Sequence, residues 1–396
     1  MEARARPPMG QISISSGAKV ALISLAHGVN DMFAAFLPTF MPYVKETLGL
    51  GYALSGVLSL IVGLCHVVVQ PVMGYVADRI RRPWLITLGP LLCGMGAIMI
   101  PNAGSYVGAL SFAALWGVGS ALYHPQGNGG VGYVSRPERL SFSLTIFNIL
   151  GTLGTLLSPV VAVSLVHRLG YRGLWLAILP PLLLAPTIAL SIPTLRDVSD
   201  VPPAPHAGAG RGFLSMFWML APLWGISFIR DLVFQGTRFF LPLKVAAQGG
   251  TLDEIGATVF LITLGGSLAM IPMERVARRA SFRKILPVSM ILGSLLLILA
   301  TLSDGGLSSA LYVLGVSFVY ATLPLTVVMA QTLLPQSRSM ASSIVTGLAW
   351  GTANAALYPL GMVADAIGID ATMRILALSP LVAPLFLLMP ASRRMR

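Results

Sequence analysis

About a dozen long apolar stretches dominate the sequence, and a few ionisable side chains recur inside them. A helix needs about 20 apolar residues to cross the hydrocarbon core of a bilayer. Cutting the chain at charged or Pro/Gly-rich breaks gives twelve spans, at 18–43, 51–77, 84–101, 105–130, 140–166, 173–193, 214–242, 255–274, 285–303, 308–334, 339–364 and 371–390. Lipid leaves unpaired backbone groups unsatisfied, so only helices and closed barrels can cross it. A barrel would show short alternating strands, so the expected fold class is an all-α membrane protein with twelve transmembrane helices. The glycine tract Gly127, Gly129, Gly130 and Gly132 is expected to break or bend the end of the fourth span.

Only 10% of residues are charged and 55% are hydrophobic, with a mean hydropathy of +0.81. A soluble domain carries roughly 25% charge, so lipid is the expected solvent. The net charge of +12 invites a nucleic-acid reading, but the 26 Lys and Arg are scattered through short loops and build no basic face. Cys65 and Cys93 lie in apolar spans without metal-ligand spacing and read as packing residues. No cofactor, metal or nucleic acid is expected.

With a cytoplasmic N-terminus, the tails and the loops on that side hold 19 of the Lys and Arg, against five on the other side: Lys45, Arg168, Arg172, Lys244 and Arg374. The positive-inside rule then places both termini in the cytoplasm. Residues 1–17 and 391–396 read as tails, and 194–213, rich in Pro and Ala, as a linker between six-helix halves at 18–193 and 214–390. Internal repetition supports the division. Gly151, Thr152 and Pro159 recur as Gly351, Thr352 and Pro359, Arg139 is matched by Arg338, and Asp78, Arg79 and Arg82 are answered by Glu274, Arg275 and Arg278. Such duplication is expected of transporters built from parallel repeats.

The run Gly74-Tyr75-Val76-Ala77-Asp78-Arg79-Ile80-Arg81-Arg82 resembles the loop signature of the major facilitator superfamily. An Asp at a helix end can accept charge-assisted hydrogen bonds from Arg or from a neighbouring helix N-terminus, making a clasp that breaks as two halves rock. Met270 replaces the glycine in the second copy, which is expected to grip more loosely. Within that superfamily the chain resembles the fosmidomycin resistance family of drug exporters. The matching residues are Ser24-Leu25-Ala26-His27, Asn30-Asp31-Met32, Gln70-Pro71-Val72-Met73-Gly74-Tyr75, His124-Pro125, Ile146-Phe147, Ala330-Gln331, Leu333-Leu334-Pro335 and Val363-Ala364-Asp365. The resemblance implies two pseudo-symmetric six-helix bundles, proton-coupled efflux of an antimicrobial and a bacterial inner-membrane location. There are two departures. Gln126 follows His124-Pro125 where the family usually has an acid, and Ser158-Pro159 stands where the superfamily's antiporter motif usually has Gly-Pro.

Ionisable groups inside a bilayer are costly and mark solute or proton paths. Asp31, midway through the first span, is the leading proton-coupling residue, with His27 one turn earlier on the same face and Asp231 as a further member. The alternative is that His27 and Asp31 are hydrogen-bonded structural groups. Arg230, Phe234 and Arg238 fall at i, i+4 and i+8 on the seventh span, beside Gln235, and suit an anionic solute with an apolar body. The competing reading has Arg230 and Asp231 in salt bridges and Arg238 snorkelling to an interface. Of the cations, Arg230 is the deeper. Asn30, His124, Gln126 and Trp350 complete the expected solute-facing set, and Gly74, Asp78, Arg79, Arg82, Glu274, Arg275 and Arg278 the gating set.

Together these features point to a monomeric secondary transporter, not an enzyme, moving a small polar or amphipathic solute with protons as partner. Alternatives are a facilitator or importer of organic anions, and a membrane-embedded enzyme using His124 or His27 as base. The enzyme reading lacks a nucleophile–base–acid set at workable spacing.

Overall fold

The computed structural model describes residues 14–77, 79–80, 82–195, 213–277, 279–335 and 338–390. Asp78, Arg278 and nearly all of the expected linker and tails lie outside the described residues. Among those described there is no strand. The helices are α1 (Ser16–Thr47), α2 (Tyr52–Ala77), α3 (Trp84–Asn102), α4 (Tyr106–Val134), α5 (Leu140–Leu169), α6 (Tyr171–Ser191), α7 (Phe213–Ala247), α8 (Leu252–Ala277), α9 (Phe282–Thr301) and α10 (Gly305–Leu333). They continue with α11, in pieces over 338–367, and α12 (Ile369–Leu388). Eleven of the twelve are long and apolar enough to cross a membrane, and α11 is subdivided by irregular turns. Apolar side chains cover the outside, Leu183, Leu190, Val288 and Leu307 among them, as a lipid-facing surface requires.

The helix ends explain themselves locally. Ser105 Oγ accepts from the Gly108 amide at 3.1 Å at the start of α4. Thr251 and Glu254 form a reciprocal capping box on α8. Gly49 and Gly249 turn the chain with φ of 61° and 82°, and Gly170 and Gly368 with 68° and 88°. A side chain at such φ is strained, so turns in matching places of the two halves demand glycine, a second trace of the duplication.

The glycine tract departs from expectation, because α4 runs unbroken to Val134. Two of the glycines serve packing: a Cβ on Gly127 would sit 2.9 Å from the Tyr123 ring, and one on Gly130 would sit 3.2 Å from Ile86 Cδ1, whereas Gly129 and Gly132 have room for one. The break falls in α1, where regular helix stops at Asp31 and resumes at Phe36. The Ala35 amide loses its helical partner there and donates to Ser158 Oγ of α5 at 3.0 Å, so the serine that departs from the antiporter motif satisfies a buried donor.

The halves meet along two seams, α2 with α11 and α5 with α8. Backbones approach closely at the first: a Cβ on Gly56 would lie 2.6 Å from Leu357 O, and one on Gly63 would lie 2.6 Å from Gly351 O. At the ends remote from the termini, Asp365 of α11 caps α2, its two carboxylate oxygens accepting from the amides of Tyr52 at 2.7 Å and Ala53 at 2.9 Å. On the other seam His167 Nε2 of α5 is 3.4 Å from Asp253 Oδ2 of α8. A carboxylate on a helix N-terminus gains from both the amides and the helix dipole, so these contacts hold that end shut.

Candidate functional site: a central cavity between the halves

A cavity of about 1700 Å³ lies between the halves. Its walls come from α1, α2, α4 and α5 on one side and α7, α8, α10 and α11 on the other, with no lining residue from α3, α6, α9 or α12. The lining extends from Leu37 and Leu357 to Tyr75, Tyr133 and Met340, toward the end that carries the termini.

On the first wall, Asp31 sits where α1 breaks. His27 Nε2 approaches its Oδ2 to 3.3 Å and His124 Nε2 approaches its Oδ1 to 3.7 Å, while Asn30 Nδ2 donates to Oδ1 at 3.0 Å. His27 Nδ1 lies 2.8 Å from the Phe147 carbonyl; a carbonyl only accepts, so this nitrogen carries a proton. The ring is fixed by stacking on Phe147 at 4.0 Å, and a side chain on Gly151 would run into it. His27 therefore presents Nε2 to the carboxylate. A bare imidazole nitrogen and a carboxylate repel each other, so this approach calls for a cation between them, and a proton is the simplest. Across the seam, His66, hydrogen-bonded to Gln70 at 2.8 Å, meets Trp350 edge-on with ring centroids 4.5 Å apart.

On the second wall the two arginines differ, and they reverse the order of preference set by depth. Arg230 is fully buried, and all five of its N–H donors have acceptors. Nε and Nη2 grip Asp231 at 2.8 and 3.0 Å, Nη1 reaches Ser227 Oγ at 3.3 Å and Thr326 Oγ1 at 2.7 Å, and Nη2 also reaches Val345 O at 3.2 Å. A guanidinium so engaged ties α7 to α10 and α11 and has no donor left for a solute. Arg238 is different. Among the described residues only Nη1 is engaged, with Gln235 Oε1 at 3.2 Å, whereas Nε and Nη2 are buried without partners there. Its guanidinium lies 5.3 Å from the centre of the Phe234 ring, which stacks on Tyr320 at 3.9 Å, and Gln235 Nε2 donates to Asn354 Oδ1 at 3.2 Å. Unsatisfied buried donors are costly.

Gln126 is a correction to the expected solute-facing set. It is buried outside the cavity lining, its Oε1 accepting from the Leu85 and Ile86 amides at 2.9 and 3.1 Å and its Nε2 donating to Arg82 O at 2.9 Å. It caps α3. Asn30, Asp31, His27, His124, Arg230, Asp231, Phe234, Gln235, Arg238 and Trp350 all line the cavity. Of the gating set, Gly74 lines it as well, and Arg79 folds back onto its own helix, donating to Tyr75 O at 2.8 Å and stacking 3.3 Å over the Tyr75 ring. Asn354 and Tyr320 line the cavity too. Tyr320 is one of several aromatics in apolar spans that suit either a cavity or lipid, and the sequence signal for Asn354 is a polar side chain in an apolar span.

Comparison with known proteins agrees with this architecture. The chain is 24% identical over 392 residues to the fosmidomycin resistance protein of Escherichia coli K12, covering 94% of this chain and 92% of that one. It is 23% identical over 384 residues to an uncharacterized MFS-type transporter, YfnC, of Bacillus subtilis strain 168, covering 95% and 93%. The fold is similar to that of a bacterial homologue of the human lysosomal transporter Spinster in an inward-facing, occupied conformation, with TM-score 0.77, 15% identity and coverage of 96% and 97%. It is also similar to a point mutant of the nucleoside transporter NupG, with TM-score 0.76, 16% identity and coverage of 94% and 99%. The family model described as Major Facilitator Superfamily matches residues 23–357, and with twelve helices around a cavity shared by two halves, this chain belongs to that superfamily of membrane transporters.

Proposed function

We propose that the chain is a proton-coupled exporter of a small anionic or zwitterionic solute with some apolar body, of the fosmidomycin resistance type, acting as a monomer in a bacterial inner membrane. The observation that carries this reading is the pairing of walls: a carboxylate between two imidazoles on one side, and a guanidinium with two unengaged nitrogens on the other. Arg238 attracts the anion, Phe234 and Tyr320 receive its apolar part, and Asp31 with His27 and His124 takes up and releases the proton. Supporting it further, the seam is closed at Asp365 and His167 while the cavity extends toward the arginine-rich end, which the charge bias assigns to the cytoplasm. A solute enters there, and rocking of the halves exposes the cavity to the opposite side.

The test is uptake of labelled fosmidomycin into inside-out vesicles with an acid-inside gradient. Gradient-driven uptake that Asp31→Asn abolishes is expected. Uptake that is indifferent to the gradient would replace proton antiport with facilitation, and absence of uptake above empty vesicles would detach the chain from this solute.

A further inference from the structure

We infer that His27, Asp31 and His124 form a binding site for a divalent transition-metal ion on the cavity wall. Spacing along the sequence shows only the His27–Asp31 pair, because the third ligand, His124, comes from α4 and meets the other two only in the fold. Their ligand atoms all lie within 4.8 Å of one another. A tetrahedral ion with bonds of about 2.0–2.1 Å holds its ligands about 3.3 Å apart. The His27 Nε2 to Asp31 Oδ2 separation is 3.3 Å already, and His124 Nε2 to Asp31 Oδ1 is 3.7 Å.

Three further observations point to a ligand. His27 donates Nδ1–H to the Phe147 carbonyl, the outer-shell contact that fixes the tautomer of a metal-binding histidine and aims its other nitrogen at the ion. Stacking on Phe147 and the close approach of Gly151 hold that ring in place. Asn30, 1% exposed and bonded to Asp31 through Nδ2, keeps a buried Oδ1 without a partner among the described residues. Two imidazoles and one carboxylate suit Zn²⁺, Co²⁺ or Ni²⁺, whereas Mg²⁺ and Ca²⁺ prefer oxygen ligands throughout. His124 and Asp31 both face the cavity, which leaves the remaining coordination position open to water or solute, as in exchangeable sites. The inference does not depend on which solute moves or on proton coupling, although an ion here would occupy the lone pairs that a coupling proton needs.

The experiment is titration of the full chain, without a histidine tag, stripped with chelator and held in lipid nanodiscs, using Co²⁺ as the probe and its visible d–d absorption as the readout. One equivalent bound with the intense spectrum of four- or five-coordinate Co²⁺, and displaced by Zn²⁺, is expected. Affinity should fall in His124→Gln and Asp31→Asn by more than the ~10–100-fold that loss of an outer-shell partner brings. His167→Gln, at the seam away from the cavity, should bind as the parent does. The His124 side chain is partly open to the cavity (28% exposed), so His124→Gln keeps the fold, which thermal unfolding of the same samples verifies. No Co²⁺ spectrum in the parent, or a spectrum unchanged in His124→Gln, would overturn the site. Loss only in His167→Gln would overturn it too, by placing the ion at the His167–Asp253 pair.

Discussion

Replacing Asp231 by Asn should destabilise the protein far more than replacing Arg230 and Asp231 together. In the parent, Asp231 accepts two of the five Arg230 hydrogen bonds, at 2.8 and 3.0 Å, and the pair is almost wholly buried. The amide of Asn keeps one acceptor but turns an NH₂ toward the guanidinium, leaving a buried positive charge without a counter-ion. Breaking a buried pair in this way costs about 3–5 kcal/mol. The joint replacement Arg230→Met with Asp231→Leu removes the charge as well. Thr326 Oγ1, Ser227 Oγ and the Val345 carbonyl each lose a donor, but Thr326 Oγ1 still donates to Leu323 O at 2.9 Å, and these neutral acceptors cost about 1–2 kcal/mol in total. Cys93 is buried at 1% exposure, so with Cys65→Ser as background its labelling reports opening of the fold. At tenfold per 1.4 kcal/mol, Asp231→Asn should label roughly 10²- to several 10³-fold faster than the parent, and the joint variant within roughly 30-fold of it. Equal labelling of Asp231→Asn and the parent would refute the reasoning. So would a joint variant as fast as the single one, because the pair would then not be a self-contained lock.

Three other outcomes are expected. Arg238→Met should weaken binding of an anionic solute by about 10- to 150-fold, the worth of a hydrogen bond to a charged group, while raising the thermal midpoint because two unpartnered buried nitrogens are removed; calorimetric titration and thermal unfolding read the two effects. Asp365→Ala should cost about 0.5–2 kcal/mol at the closed end, the worth of a solvent-exposed side-chain cap on a helix N-terminus, and spin labels across the α2–α11 seam should report the longer distance. Gln126→Glu should cost about 1 kcal/mol by turning a carboxylate oxygen toward Arg82 O, and should leave the pH dependence of transport unchanged, since position 126 faces the end of α3 and not the cavity.

What was legible in the sequence follows from cost. Asp31, His27 and Arg238 stand out because lipid penalises them wherever they sit, and twelve spans are visible because each must be apolar over its own length. What was hidden depends on partners distant in the chain. Arg230 and Arg238 share a helix face and a residue type; Asp231 beside the first is visible in the sequence, but Thr326 on α10 and Val345 on α11, which take up its remaining donors, are not. Gln126 reads as a lost acid until the α3 amides are seen at its side chain. The break in α1 passes through Met32, Phe33, Ala34 and Ala35; Pro38, which cannot bond the Ala34 carbonyl four residues back, marks it in the sequence, but the partner that stabilises it, Ser158, lies 123 residues away. The glycine tract misled in the opposite direction, since Gly127 and Gly130 sit against packed neighbours and are kept for space and not for a bend.

Two wide turns, Cys65–Val69 in α2 and Ile344–Leu348 in α11, face each other across the seam. Each holds one residue more than an α-helical turn. Absorbing that residue into regular helix would rotate everything on one side by about 100° and shift it about 1.5 Å along the axis. On α2 the turn separates Gly56 and Gly63, which grip α11, from Gln70 and Tyr75, which line the cavity. One half of the helix can therefore act as a fixed bearing while the other turns like a screw. Cavity side chains would swing toward or away from a solute without any hydrogen-bonded rod being broken.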